Sequence, residues 1–127
     1  MGALTEAKAH ATVAVSDQKR GNAFYAETLG LKLLANNPGV AMFECGGGTI
    51  LDVYQSPFAG TGKSTAATFQ VADLDATMAD LRGRGVVFEE YDQGELKTTN
   101  GVAEADGARA AWFKDPDGNT LAVVQTS

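Results

Sequence analysis

An internal repeat constrains the fold of this chain more than any other feature of its sequence. Residues 11–17 (ATVAVSD) match residues 67–73 (ATFQVAD) at an offset of 56. Residues 41–56 (AMFECGGGTILDVYQS) match residues 111–126 (AWFKDPDGNTLAVVQT) at an offset of 70, in the same order along the chain. Because there are only two copies, the repeat favours a pseudo-symmetric single domain over a solenoid.

The repeat predicts two modules, at about 8–57 and about 64–126, within a single domain spanning residues 1–127. In each module an alternating segment rich in Val, Thr and Ala precedes a helix that Asp17 or Asp73 would cap, and three more strands follow. The predicted strands cover residues 10–16, 31–35, 39–44 and 49–55, and then 66–72, 86–91, 108–114 and 119–125. The predicted fold is α+β, with two βαβββ modules that form a curved, cup-like mixed sheet with helices on its outer face.

Charge and hydropathy exclude several classes of partner. The chain has 10 basic and 16 acidic residues and no Lys/Arg cluster, which argues against binding to nucleic acid or to anionic membranes. No apolar stretch approaches the roughly 20 residues of a membrane helix, and residues 1–15 lack a secretory pattern. The lone Cys45 fits a reducing compartment, so we expect a cytoplasmic protein.

His10 and Cys45 are the single histidine and the single cysteine of the chain. One cysteine excludes a disulfide within the chain. One histidine excludes a site that needs two of them from one copy. Cys45 carries no activating signal in the sequence, so we expect a passive thiol rather than a nucleophile.

Two motifs make the sequence resemble a known superfamily. Residues 24–31 (FYAETLGL) follow the first predicted strand, and residues 113–119 (FKDPDGN) lie near the end of the second module. Together with the repeated βαβββ pattern, they resemble the vicinal oxygen chelate superfamily, which includes glyoxalase I, bleomycin-resistance proteins and extradiol dioxygenases. The resemblance covers nearly the whole chain but says little about the reaction.

The resemblance implies four possible metal-ligand positions, two in each module. They fall on His10 and Asp52 in the first module and on Ala66 and Ala122 in the second. Alanine offers no donor atom, and two protein ligands hold a divalent ion weakly, so we expect neither a metal nor another cofactor. His10 could instead be a hydrogen-bonding or acid–base group that Asp52 orients, or a histidine at a strand start without a role.

Aromatic and apolar side chains are expected to line the cup. Asp52 lies between apolar neighbours and so faces away from the core, which turns Tyr54 the same way. Phe43 and its repeat mate Phe113 are predicted to lie in the core, which would turn Met42 and Trp112 toward the cup. These side chains suit a flat or aromatic ligand, although Trp112 could equally serve core or dimer packing.

Two other segments have specific interpretations. Residues 60–65 (GTGKST) resemble the end of a phosphate-binding loop, but Pro57 stands where its first glycine belongs and a strand follows, so a linker is expected. The polar segment 89–107 could form a hairpin with a turn at Asn100-Gly101 and could cover the mouth of the cup.

The predicted function is metal-free binding of a small aromatic or drug-like molecule, in a chain that forms a homodimer. His10, Met42, Asp52, Tyr54 and Trp112 are the candidate ligand-binding residues, and His10 and Asp52 are also the candidate catalytic residues. Two alternatives remain open. One is a metal-dependent glyoxalase-like lyase or isomerase, or a dioxygenase, and the other is metal-free acid–base catalysis by His10 and Asp52.

Overall fold

The structure, a computed structural model, describes residues 2–126. After a short 3₁₀ helix at Ala3–Glu6, the first module contains β1 (Ala11–Val15), α1 (Gln18–Ala23, continued by a π-helical turn at Phe24–Thr28), β2 (Lys32–Asn37), β3 (Val40–Glu44) and β4 (Ile50–Gln55). The second contains β5 (Thr65–Gln70), α2 (Leu74–Gly83), β6 (Asp92–Gln93), β7 (Leu96–Lys97), β8 (Ala103–Ala105), β9 (Ala108–Lys114) and β10 (Thr120–Gln125).

The strands form two four-stranded mixed sheets and a separate hairpin. The first sheet has the order β1-β4-β3-β2 and the second has the order β5-β10-β9-β8, while β6 pairs only with β7. In each sheet the first strand of the module runs parallel to the last, and the other pairs are antiparallel. The two sheets meet along β1 and β5. The predicted α+β fold of two repeated βαβββ modules is therefore confirmed.

The strand register repeats between the two sheets with the offsets seen in the sequence. In the first sheet Asp52 of β4 lies between Thr12 of β1 and Met42 of β3. In the second sheet Ala122 of β10 lies between Thr68 of β5 and Trp112 of β9. Positions matched in the sequence are therefore equivalent in the structure.

The buried faces of the two sheets carry nearly the same side chains. Phe43 and Phe113 are both buried, as predicted for core residues beneath the helices. Identical mates that are buried in both sheets include Ala41 and Ala111, Phe43 and Phe113, Leu51 and Leu121, and Val53 and Val123. The core is thus built from two copies of one packing pattern.

An aspartate and a glutamine at equivalent positions bind the N-terminal backbone N–H groups of each helix. As predicted, Asp17 and Asp73 are the N-caps, and each carboxylate accepts a hydrogen bond from the backbone N–H three residues on, at 3.1 and 3.0 Å. Gln55 and Gln125, at the ends of β4 and β10, accept a bond from the first residue of α1 and α2 respectively. Each helix start is therefore fixed to the last strand of its own module.

The strand predicted at residues 86–91 is wrong. Instead of a strand ladder with β9, these residues make an isolated bridge between Phe88 and Phe113 and a hydrogen bond from the N–H of Glu89 to the carbonyl of Trp112. The fourth strand of the second sheet is instead β8, because a tight turn at Asp106-Gly107, with positive φ at both residues, folds β8 back onto β9. The turn predicted at Asn100-Gly101 is confirmed by positive φ at both residues and by a β-bridge that joins the flanking residues Thr99 and Val102.

Candidate functional site

The side chains that point away from the helices lie on one side of each of the two sheets. Asp52 lies between buried Leu51 and Val53, so the pleat of β4 turns it to the opposite side. We call this side the open face, defined by Met42, Asp52 and Tyr54 on the first sheet and by Trp112 and Ala122 on the second. Unlike the buried faces, these positions differ between the two modules, since Asp52 matches Ala122 and Met42 matches Trp112.

His10 and Asp52 contact each other. The Nδ1 atom of His10 lies 3.0 Å from Oδ2 of Asp52, and the two side chains are 30% and 22% exposed. The other carboxylate oxygen, Oδ1, is buried and has no hydrogen-bond partner within residues 2–126. Asp52 therefore orients the imidazole ring, as the sequence analysis allowed, while one of its own oxygens is left unsatisfied.

The first sheet brings three of the five predicted ligand-binding residues together, and His10 joins them through its contact with Asp52. Met42 is the register partner of Asp52 and is half-buried. Tyr54 is the next residue of β4 on the same side and is 40% exposed. This part of the open face therefore combines an imidazole–carboxylate pair with a thioether and a phenol.

Trp112 lies apart from the other four, on the second sheet. It is half-buried, and its ring makes an edge-to-face contact with Tyr91, with 5.7 Å between the ring centroids. Tyr91 belongs to the polar segment 89–107 and was not among the predicted site residues. It is the only aromatic residue of that segment, which is the signal that could have drawn attention to it.

The residues at the four implied ligand positions do not fit a divalent metal ion. His10 and Asp52 each offer a donor atom, but Ala66 and Ala122 offer none. Ala66 lies at an irregularity of β5, and Ala122 is 3% exposed. Within residues 2–126 no group of three or more His, Cys, Asp or Glu side chains has a geometry that could hold a metal. The metal site of metal-dependent relatives therefore has half of its donors here.

Cys45 is placed to be unreactive. Its side chain is half-buried beside the core, and this burial raises the pKa of the thiol above its usual value. A raised pKa lowers the fraction of the nucleophilic thiolate at neutral pH. This supports the prediction of a passive cysteine.

A buried polar network, which the sequence analysis did not foresee, connects the two superfamily motifs. Tyr25 is fully buried, and its hydroxyl donates to Oδ2 of Asp115 at 2.8 Å. The Asp115 carboxylate also accepts bonds from the side chain of Asn119 and from the backbone N–H groups of Asp117 and Asn119. Burial, and next the charge of Asp115, raise the pKa of Tyr25 far above its usual value. These motif residues therefore hold the modules together.

Three cavities lie elsewhere on the described part of the chain. The largest, about 660 Å³, lies between α2 and residues 97–109, and the second, about 480 Å³, lies between Cys45 and β5. The third, about 170 Å³, is an apolar groove between Leu29 and α2. None of these three is lined by His10 or by a residue that defines the open face.

Comparison with known families gives a match over most of the chain. The family model described as "Glyoxalase/Bleomycin resistance protein/Dioxygenase superfamily" matches residues 8–123. No curated protein matches the chain. Within residues 2–126 no helix is long and apolar enough to cross a membrane.

Solved structures with this fold include two that share 32% identity with the chain. The antibiotic binding protein TnmS3 from Streptomyces sp. CB03234 has a TM-score of 0.70, and the match covers 95% of this chain and 98% of that one. A glyoxalase/bleomycin resistance protein from the same organism has a TM-score of 0.64, with 88% and 94% covered. A glyoxalase/dioxygenase from Nostoc punctiforme shares 19% identity and a TM-score of 0.67, with 100% and 96% covered, which shows the fold alone.

Proposed function

The chain belongs to the glyoxalase/bleomycin resistance protein/dioxygenase superfamily, and we propose that it is a metal-free binding protein for a small aromatic or drug-like molecule. The ligand would lie against the open face, in contact with Met42, Tyr54 and Trp112. His10 and Asp52 would supply its polar contact. Binding without turnover would make the chain a sequestering protein.

The observation that carries this proposal is the composition of the four implied ligand positions. The two polar residues, His10 and Asp52, bond to each other, and the other two positions are alanines. A metal-dependent lyase or dioxygenase needs an ion held firmly enough to polarise its substrate. An imidazole and one carboxylate are too few ligands for that task, but they are sufficient to recognise an organic molecule.

The aromatic side chains of the open face support a flat ligand. Trp112 is half-buried, Tyr54 is 40% exposed, and Tyr91 already packs edge-to-face on Trp112. Aromatic rings provide large apolar contact areas with few rotatable bonds. The 32% identity to TnmS3, an antibiotic binding protein, favours an antibiotic-like ligand for this chain as well.

We also propose that two copies associate and that the protein works in the cytoplasm on a small molecule rather than on nucleic acid or membranes. The first-sheet part of the open face is partly uncovered in the described part of the chain, since Tyr54 is 40% exposed. A second copy would exclude water from a bound ligand and strengthen its polar contacts. The net charge of −6 argues against polyanionic partners.

Isothermal titration with metal-free bleomycin and with the anthracycline daunorubicin tests the proposal. Fluorescence of Trp112, the only tryptophan, reports binding at the open face. We expect Trp112→Ala to weaken the affinity for whichever compound binds by about tenfold or more, since aromatic truncation at a binding site has effects of this size. Phe58→Ala is the matched control, because Phe58 is an exposed aromatic residue of the linker and its loss should leave binding unchanged.

Two results would overturn the proposal. One is a stoichiometric metal ion in the purified protein whose removal by a chelator abolishes binding. The other is binding that Trp112→Ala and Tyr54→Ala both leave intact, because the ligand would then lie away from the open face.

A further inference from the structure

We infer that the His10–Asp52 pair acts as a hydrogen-bond acceptor that selects aromatic ligands bearing a hydroxyl group. The inference rests on the proposed function and adds to it the chemical class of the ligand. It assigns recognition to Nε2 of His10 and a positioning role to Asp52.

The first step is the position of the imidazole proton. An ionised carboxylate can only accept hydrogen bonds, so the 3.0 Å contact with Oδ2 of Asp52 requires the proton to be on Nδ1 of His10. In a neutral imidazole the other ring nitrogen, Nε2, then carries a lone pair. Nε2 has no hydrogen-bond partner within residues 2–126, and the side chain is 30% exposed. The pair therefore presents one accessible acceptor.

The second step is the strength of that acceptor. The negative charge of Asp52 lies behind the ring, and Oδ1 of this carboxylate is buried without a partner. A carboxylate hydrogen-bonded to one nitrogen of an imidazole polarises the ring toward the other nitrogen, as in the outer shell of metal-bound histidines. Nε2 is thus suited to an acidic O–H donor. A ligand carboxylate or phosphate would be repelled by Asp52.

The third step is the asymmetry of the open face. At the positions equivalent to His10 and Asp52 the second sheet has Ala66 and Ala122, and its large side chain is Trp112. One half therefore offers a polar acceptor and the other offers an aromatic ring. The complementary ligand has an aromatic plate for Trp112 and a hydroxyl for His10.

Nuclear magnetic resonance of the imidazole nitrogens tests the proton position directly. Because the chain has a single histidine, two-bond ¹H–¹⁵N spectra contain the signals of one imidazole. We expect Nδ1 to be protonated and Nε2 to show the shift of an unprotonated nitrogen. In Asp52→Asn we expect a mixture of both tautomers. A wild-type spectrum with the proton on Nε2 would overturn the inference.

Binding of two matched probes tests the ligand class. 2-Naphthol and 2-methoxynaphthalene differ by one methyl group, and only the first donates a hydrogen bond. By equilibrium dialysis we expect the wild type to prefer 2-naphthol by about tenfold, the net contribution of one such bond. Addition of 2-naphthol should shift the Nε2 resonance, whereas the methyl ether should not.

The variant His10→Phe keeps a planar ring and removes the acceptor. We expect it to lose the preference for 2-naphthol, so that the two probes bind the variant with equal affinity. Trp112 fluorescence would confirm that the variant is folded. If the wild type binds both probes equally, this inference is wrong and the proposed function stands. If neither probe binds, this inference is wrong, and the titrations with bleomycin and daunorubicin decide the proposed function separately.

Discussion

The hydroxyl of Tyr25 donates a 2.8 Å hydrogen bond to the carboxylate of Asp115, which lies 90 positions further along the chain. Tyr25 follows α1 of the first module, and Asp115 begins the turn between β9 and β10 of the second. Both residues are buried, so the bond replaces water on both partners. It therefore connects the modules at a place where an unpaired polar group would be costly.

Replacing Tyr25 with phenylalanine removes only the donor. We expect Tyr25→Phe to lower the free energy of unfolding by about 2 kcal/mol, because bonds to charged groups contribute more than neutral ones. Urea denaturation measures the change. Tyr54→Phe is the control, since Tyr54 is 40% exposed, and its effect should stay within about 0.5 kcal/mol. Equal effects of both variants would contradict the importance of the Tyr25–Asp115 bond.

The stability of the protein should fall at alkaline pH because of Tyr25. Burial and the charge of Asp115 raise its pKa in the folded state above the usual 10.0, so the unfolded chain releases the phenolic proton first. The contribution is fully present below about pH 10 and is lost above it, at about 1.4 kcal/mol per pH unit. Denaturation curves at several pH values should show a shallower decline for Tyr25→Phe than for the wild type. Parallel declines would argue against this assignment.

Gly60 should not tolerate a side chain. It has a φ of +71°, and a Cβ atom there would collide with the backbone carbonyl oxygen of Asp117. We expect Gly60→Ala to reduce the free energy of unfolding by about 2–3 kcal/mol, from backbone strain and the clash. Gly62→Ala is the matched control, because no atom lies within 4 Å of its Cβ position. The linker is thus fixed to the second module rather than shaped around a phosphate.

The missing metal donors can be restored by substitution. We expect the double variant Ala66→His with Ala122→Glu to bind Zn²⁺ at least about tenfold more tightly than the wild type, because it completes a four-ligand set. Since Ala122 is 3% exposed, the metal-free double variant should be less stable, and Zn²⁺ should raise its melting temperature by mass action. Ala66→His alone should show little of this effect. If the wild type bound Zn²⁺ as tightly as the double variant does, the number of donor residues would not be what limits metal binding.

Much of the fold could be predicted because the repeat carries the strand register. The sequence offsets of 56 and 70 match Thr12, Asp52 and Met42 with residues of the second module. The strand pairing of the two sheets reproduces both offsets. The alternation of apolar residues then assigns each side chain to a face. The contact of His10 with Asp52 was expected from the superfamily resemblance, which places both residues at implied ligand positions.

The insertion at residues 89–107 could not be predicted in the same way, because the first module has no equivalent segment. Its hairpins displaced the expected strand at residues 86–91 and brought Tyr91 onto Trp112. The hydrogen bond between Tyr25 and Asp115 also could not be predicted from the repeat or from the alternation of apolar residues, since it joins two segments far apart in sequence. Such contacts depend on the path of the backbone in three dimensions.

The side chains on the two faces of each sheet have diverged to different extents between the modules. On the buried faces the modules still share Phe43 with Phe113 and Leu51 with Leu121, whereas on the open face Asp52 has diverged from Ala122 and Met42 from Trp112. Neighbouring residues of one strand point to opposite sides, so a point mutation on the open face leaves the packing beneath the helices intact. Side chains on the open face can therefore diverge without repacking the core beneath the helices.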